Sequence, residues 1–254
     1  MPSTAPERDT TGGDPPRILP RSEPESAGGE GPATALGDRI AVTRLDPSSY
    51  REALDVLALS WTDEPAFSHV LGGTPRRRLR VLRPFLWSGF RSYPRAIEVH
   101  GARLGGRLVG VGVRYPPGRW PVTRREELRG WVWGILGMLP MLLAFPQARR
   151  LFGPMTEIQR HHPRDTPHWY LWCMGVHPSF RRRGVASALA RFVATQADAA
   201  GVGCYTETFG DKTEGLYRSF GFEVRERLEI VPGAPMARTM WRDPRPSEPV
   251  TDGA

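Results

Sequence analysis

The chain has 254 residues and a formal net charge of +8, which is carried by arginine because Lys212 is its one lysine. That length holds one sizeable domain with tails, or at most two small ones. No apolar stretch follows the N-terminal charges, which argues against a secretory signal, and two cysteines, Cys173 and Cys204, suit buried thiols better than a disulfide scaffold.

Residues 1–37 are rich in Pro, Gly, Ser, Thr, Glu and Asp and are predicted to be a disordered tail, as is the Pro-rich end, 243–254. The folded domain is expected over 38–242. Ile40 to Leu45 alternates as a first strand, and Asp46-Pro47-Ser48-Ser49 starts a helix through Leu59. Trp61 to Phe67 reads as a loop or turn. A second amphipathic helix runs from Arg76 to Phe90, its arginines forming a solvated face. These arginines come with no zinc-finger or RNA-binding signature, so no nucleic-acid partner is expected. Ala96 to Leu104 and Arg107 to Tyr115, joined by Gly105-Gly106, predict a β-hairpin that ends at Pro116-Pro117-Gly118.

The run from Trp131 to Phe145 is almost wholly apolar with arginines beyond both ends. It is shorter than the roughly 20 residues that cross a bilayer, and Pro140 interrupts it. It is read as a helical insert that folds over the sheet and forms one wall of an acceptor pocket, not as a transmembrane segment. A weak membrane-surface contact stays open. His161, His162 and His168 form a local group without ligand spacing, so no metal is expected.

His168 to Met174 is an aromatic-rich apolar run suited to a buried strand. After it, Pro178 marks a turn and Val185, Leu189, Phe192 and Val193 recur at helical spacing as far as Gly201. Gly184 and Ala186 let a ligand approach the backbone, and the amides that open a helix form an anion site. The segment from Val176 to Leu189 is therefore a candidate pyrophosphate cradle, with Arg181, Arg182 and Arg183 adding charge. A dinucleotide fingerprint needs G-x-G-x-x-G and a Walker loop needs Gly-Lys-Ser/Thr; neither spacing is present.

The spacing Arg181-x-x-Gly184-x-Ala186 after Val176-x-Pro178 resembles the acetyl-CoA signature of the GNAT N-acetyltransferase superfamily. Leu216-Tyr217-Arg218-Ser219-Phe220-Gly221-Phe222 resembles that family's L-Y-x-x-x-G-F block, and the order hairpin, Pro-Pro-Gly, helical insert, His-Trp-Tyr-Leu strand resembles one of its subgroups. The resemblance implies an α+β fold: a mixed central sheet flanked by helices, with a helical insert before the central strand. It implies acetyl-CoA as acyl-donor cosubstrate and a small-molecule or peptide amine as acceptor, in a cytoplasmic protein. A homodimer is allowed. The alternative is an acyl-CoA-binding regulatory protein on the same fold without turnover.

The resemblance also implies roles. Pantetheine runs beside Met174 and Val176, with backbone oxyanion donors near Met174 to Val176 and Gly175 where a bulge could sit. The pyrophosphate rests on Arg181, Arg182, Arg183, Gly184, Val185, Ala186 and Ser187. Tyr217 protonates the departing thiolate, as a neutral phenol can, or is a core tyrosine. Glu207 is a candidate base, or else a solvent-side or salt-bridged strand residue; His168 is a second candidate, or else a packed, hydrogen-bonded histidine. The asparagine that relatives carry before the last helix is replaced by Phe209-Gly210-Asp211-Lys212-Thr213.

Overall fold

A computed structural model describes residues 39–119, 122–151 and 157–245; most of both expected tails lies outside the described residues. Strands β1 (Ala41–Arg44), β2 (Glu98–Leu104), β3 (Arg107–Tyr115), β4 (His168–Val176), β5 (Gly203–Thr208), β6 (Glu223–Leu228) and β7 (Ala237–Arg242) form one sheet in the order β1-β2-β3-β4-β5-β7-β6. Among these strands only β4 and β5 pair in parallel. The reason is local: β4 and β5 are joined by a helix, and a crossover returns the chain in the same direction. The β2–β3 hairpin turns on Gly105 and Gly106, both with positive φ, as a tight two-residue turn requires.

One face of the sheet carries α1 (Tyr50–Trp61) and α3 (Pro75–Ser92), which with β2, β3 and β4 enclose the largest core around Leu57, Leu82, Val111 and Tyr115. The other face carries α5 (Val185–Ala200) and α6 (Asp211–Ser219). There Val185 and Leu189 pack on Ala102 and Val109, and Tyr217 and Phe222 pack on Leu171 and Met240. Cys173 and Cys204 are free, buried thiols on neighbouring strands.

Three expectations are corrected. The stretch read as a loop or turn contains a short helix, α2 (Pro65–Leu71), begun by Pro65 and capped by the Glu64 carboxylate, which accepts from Phe67 N at 3.1 Å. The α3 arginines do not all face solvent. Arg78 is buried and donates to the carbonyls of Thr62, Gly72 and Gly73 at 2.7–2.8 Å, tying together both ends of α2. The apolar insert is a 21-residue helix, α4 (Arg124–Ala144), opened by a Thr123–Glu126 capping box, and its main neighbour is α3, not the sheet. It is seated by small residues: a Cβ on Gly137 would land on the Ser88 hydroxyl, and one on Gly130 on the Tyr93 hydroxyl. No helix among the described residues is long and apolar enough to cross a membrane.

Candidate active site

The site begins with an irregularity in β4. Its register against β3 runs Val113↔Cys173 and then Arg114↔Leu171, so Trp172 is an extra residue. A bulge bends its strand and adds twist. At the same level the parallel ladder to β5 stops, with Leu171↔Thr206 as its last pair, although β4 continues to Val176 and β5 to Thr208. The two strands thus part beyond Leu171 and Thr206. Gly175, expected at the bulge, is needed for another reason: its missing Cβ admits Leu57 and Ser60 of α1.

The open end of β4 leads into the cradle. Pro178–Phe180 forms one turn of 3-10 helix, Arg182 and Gly184 adopt left-handed backbone (φ 61° and 79°), and α5 starts at Val185. Ala188 N makes the first α5 bond, to Gly184 O at 2.9 Å. The amides of Val185, Ala186 and Ser187 precede it and point outward from the helix start. A Cβ at Gly184 would meet only Ile40, at 3.8 Å, so the space above this glycine is open. A diphosphate fits such a place: open room, three amide donors and the positive helix end. Arg182 and Arg183 are exposed, the latter over the Phe180 ring at 5.4 Å. Arg181 turns toward α1, reaching Asp63 at 3.4 Å and Ser60 O at 3.1 Å. The Val176 amide donates to Ser60 Oγ at 3.2 Å.

The two candidate catalytic residues flank the parting of the strands from opposite faces. Tyr217, on α6, is buried beside Thr206 with its pKa pushed up by burial, so the phenol holds its proton. Glu207, the next residue along β5, points to the α1/α3 face. Burial pushes its carboxyl up to about 7, against the hydroxyls of Tyr170 and Tyr205, which lower it.

Sequence reasoning did not anticipate what accompanies Glu207. His168 Nδ1 lies 2.6 Å from Thr166 O, and a carbonyl only accepts, so this nitrogen carries the proton. In the neutral ring Nε2 is then an acceptor, and it receives the Nε2–H of His162 at 3.0 Å. That leaves the lone pair of His162 Nδ1 facing Glu207 Oε1 at 3.8 Å. Burial, the largest effect on each ring, lowers both pKa values, His162 to about 3, and keeps both neutral. His168 is thus hydrogen-bonded to His162, whose ring lies beside Glu207. Among the described residues no cluster of three or more His, Cys, Asp or Glu could hold a metal ion.

Comparison with known proteins bears on the family and the fold. A family model described as the acetyltransferase (GNAT) family matches residues 59–222. The structure is similar to one from Corynebacterium glutamicum described as histone acetyltransferase HPA2 and related acetyltransferase. That match has 21% identity and a TM-score of 0.58, over 82% of this chain and 98% of that one. It is also similar to a Drosophila melanogaster polyamine N-acetyltransferase that forms N-acetylagmatine. Here identity is 18% and the TM-score 0.50, over 81% of this chain and all of that one.

Proposed function

This chain belongs to the GNAT acetyltransferase family, and we propose that it transfers the acetyl group of acetyl-CoA to the nitrogen of a small-molecule or peptide amine. The observation that carries this reading is the coincidence of two features. The left-handed Gly184 opens three α5 amides at the very end of β4, and β4 has by then parted from β5. An extended thioester arm can enter between the strands while its diphosphate rests on the helix start.

Bound acetyl-CoA supplies the electrophilic carbonyl and the thiolate leaving group. The protein supplies alignment and two proton positions. Backbone amides on the free edge of β4, from Met174 to Val176, donate to the carbonyl oxygen as the amine nitrogen adds; the Val176 amide exchanges its Ser60 partner for this ligand. Glu207 takes the proton released by the amine as the carbon–nitrogen bond forms. Tyr217 gives its proton to the sulfur as the carbon–sulfur bond breaks. The strand gap makes these roles compatible, because a ligand lying in it is reached from both faces of the sheet. Val185, Ala186 and Ser187 hold the pyrophosphate, with Arg182 and Arg183 contributing charge. Arg181 acts at one remove, holding the end of α1 against the cradle.

CoA release measured with acetyl-CoA and a panel of amines tests the reaction. Tyr217→Phe is expected to lower kcat about 100-fold with little change in acetyl-CoA affinity. Acetyl-CoA binding without release for any acceptor would replace this reading with that of a binding protein. The cradle is tested separately by calorimetry. Gly184→Trp, strained at positive φ and filling the open space, is expected to weaken acetyl-CoA binding by about tenfold or more. Unchanged affinity would remove the pyrophosphate from this turn.

A further inference from the structure

From Gly130 onward helix α4 is apolar on all sides, and its packing sends the large side chains outward. Gly130, Gly137 and Met141 are its buried positions. Leu128, Val132, Ile135, Leu139 and Leu143 follow one another at spacings of three and four and line the opposite side, widened by Trp131 and Leu136. Trp131 is 68%, Ile135 63% and Leu143 75% exposed. A stripe of seven large apolar residues exposed to this degree exceeds the patches a monomer ordinarily leaves bare. Beside it, Trp87 of α3 is also exposed, edge-on to Trp133, with the Arg91 guanidinium over both rings.

The charge around the stripe is net positive. Exposed Arg124, Arg125 and Arg129 stand at its start, and exposed Arg149 and Arg150 follow its end. In the first turn Glu126, held ionised by the Thr123 amide and hydroxyl at 3.0 and 2.8 Å, and exposed Glu127 offset part of this charge, and the arginines still outnumber the acids. A second copy of the chain would fit poorly. Pairing two α4 helices by a twofold axis, parallel or antiparallel, sets net positive charge against net positive charge at both ends of the seam. An anionic surface has the complementary charge. An apolar helical stripe with tryptophan, and with arginines at its ends, is the composition that lies in the headgroup region of a bilayer. The glycine contacts to α3 hold α4 lengthwise on the molecule, so it meets such a surface in its plane.

We propose that the outer face of α4, with Trp87 and the flanking arginines, docks the protein on a bilayer surface bearing anionic phospholipid. The full chain is mixed with sucrose-loaded vesicles, either of phosphatidylcholine alone or of phosphatidylcholine and phosphatidylglycerol at two to one, and sedimented. Expected is pelleting with the mixed vesicles only, reduced by salt, with a blue shift of tryptophan emission. Ile135→Glu with Leu139→Glu, both at exposed positions, is expected to abolish it while circular dichroism is unchanged. Arg124→Ser and Arg125→Ser should each weaken it about fivefold. The proposal is overturned by no pelleting with mixed vesicles, or by equal pelleting with phosphatidylcholine alone. Light scattering that finds a dimer split by Ile135→Glu also overturns it, because the stripe then belongs to a second copy. Binding is read without acyl donor or amine, so its failure and that of the transferase reading are separate results.

Discussion

Glu207 carries the most telling electrostatics of any single residue. Its carboxyl keeps a proton up to about pH 7 because burial disfavours the anion, whereas in the unfolded chain it ionises near the ordinary 4.5. The folded state thus binds the extra proton between these values. The contribution of Glu207 to stability is whole below pH 4.5 and is lost as pH rises through about 7. His162 and His168 act in the other direction: with lowered pKa values, they favour the folded state above about 6.5 and oppose it as pH falls. The total curve mixes these effects, so the difference between wild type and Glu207→Gln is the quantity to measure. Urea unfolding at pH 5 and pH 8 is expected to show the variant gaining stability relative to wild type at the higher pH. An identical difference at both values contradicts the buried, proton-holding carboxyl.

Among the elements, β4 and α4 each owe their shape or seating to a packing detail. In β4 the extra residue Trp172 coincides with the end of pairing to β5, and in the proposed reaction this parting receives the thioester arm. In α4 the glycines let backbone approach α3, and the large residues are turned away. Gly137→Leu tests this directly. The added side chain would meet the Ser88 hydroxyl and the Pro84 carbonyl, so α4 must lift or α3 must shift. The expected cost is about 2 kcal/mol in chemical denaturation. Full stability in this variant would mean that α4 does not sit on α3 through this face.

At the scale of the whole molecule, alternation and turn chemistry announced most of the elements. The paired positive-φ glycines of the β2–β3 hairpin were legible as Gly105-Gly106, and the Gly184 turn was legible from its spacing. Helix α2 carried a readable start, Glu64 followed by Pro65, but seven residues are too few for a periodic signal. The burial of Arg78 was not legible, because an arginine whose donors all meet backbone carbonyls has the same letter as its solvated neighbours. Glu207 was found as a candidate, while the His168–His162 pair behind it joins segments whose contact no local pattern encodes.

By itself the sequence determined the β2–β3 hairpin, the family and the place of the tight turn at Gly184, since these rest on local backbone preferences and on spacings within a few residues. Only the tertiary structure decided that the bulge falls at Trp172 and not at Gly175, that Tyr217 and Glu207 flank one gap from opposite faces, and that α4 presents its large side chains to solvent. A bulge is a mismatch between two strands, and a face exists only relative to what covers it. A helix apolar all round gives no hint of its buried side until a glycine meets a serine on another helix.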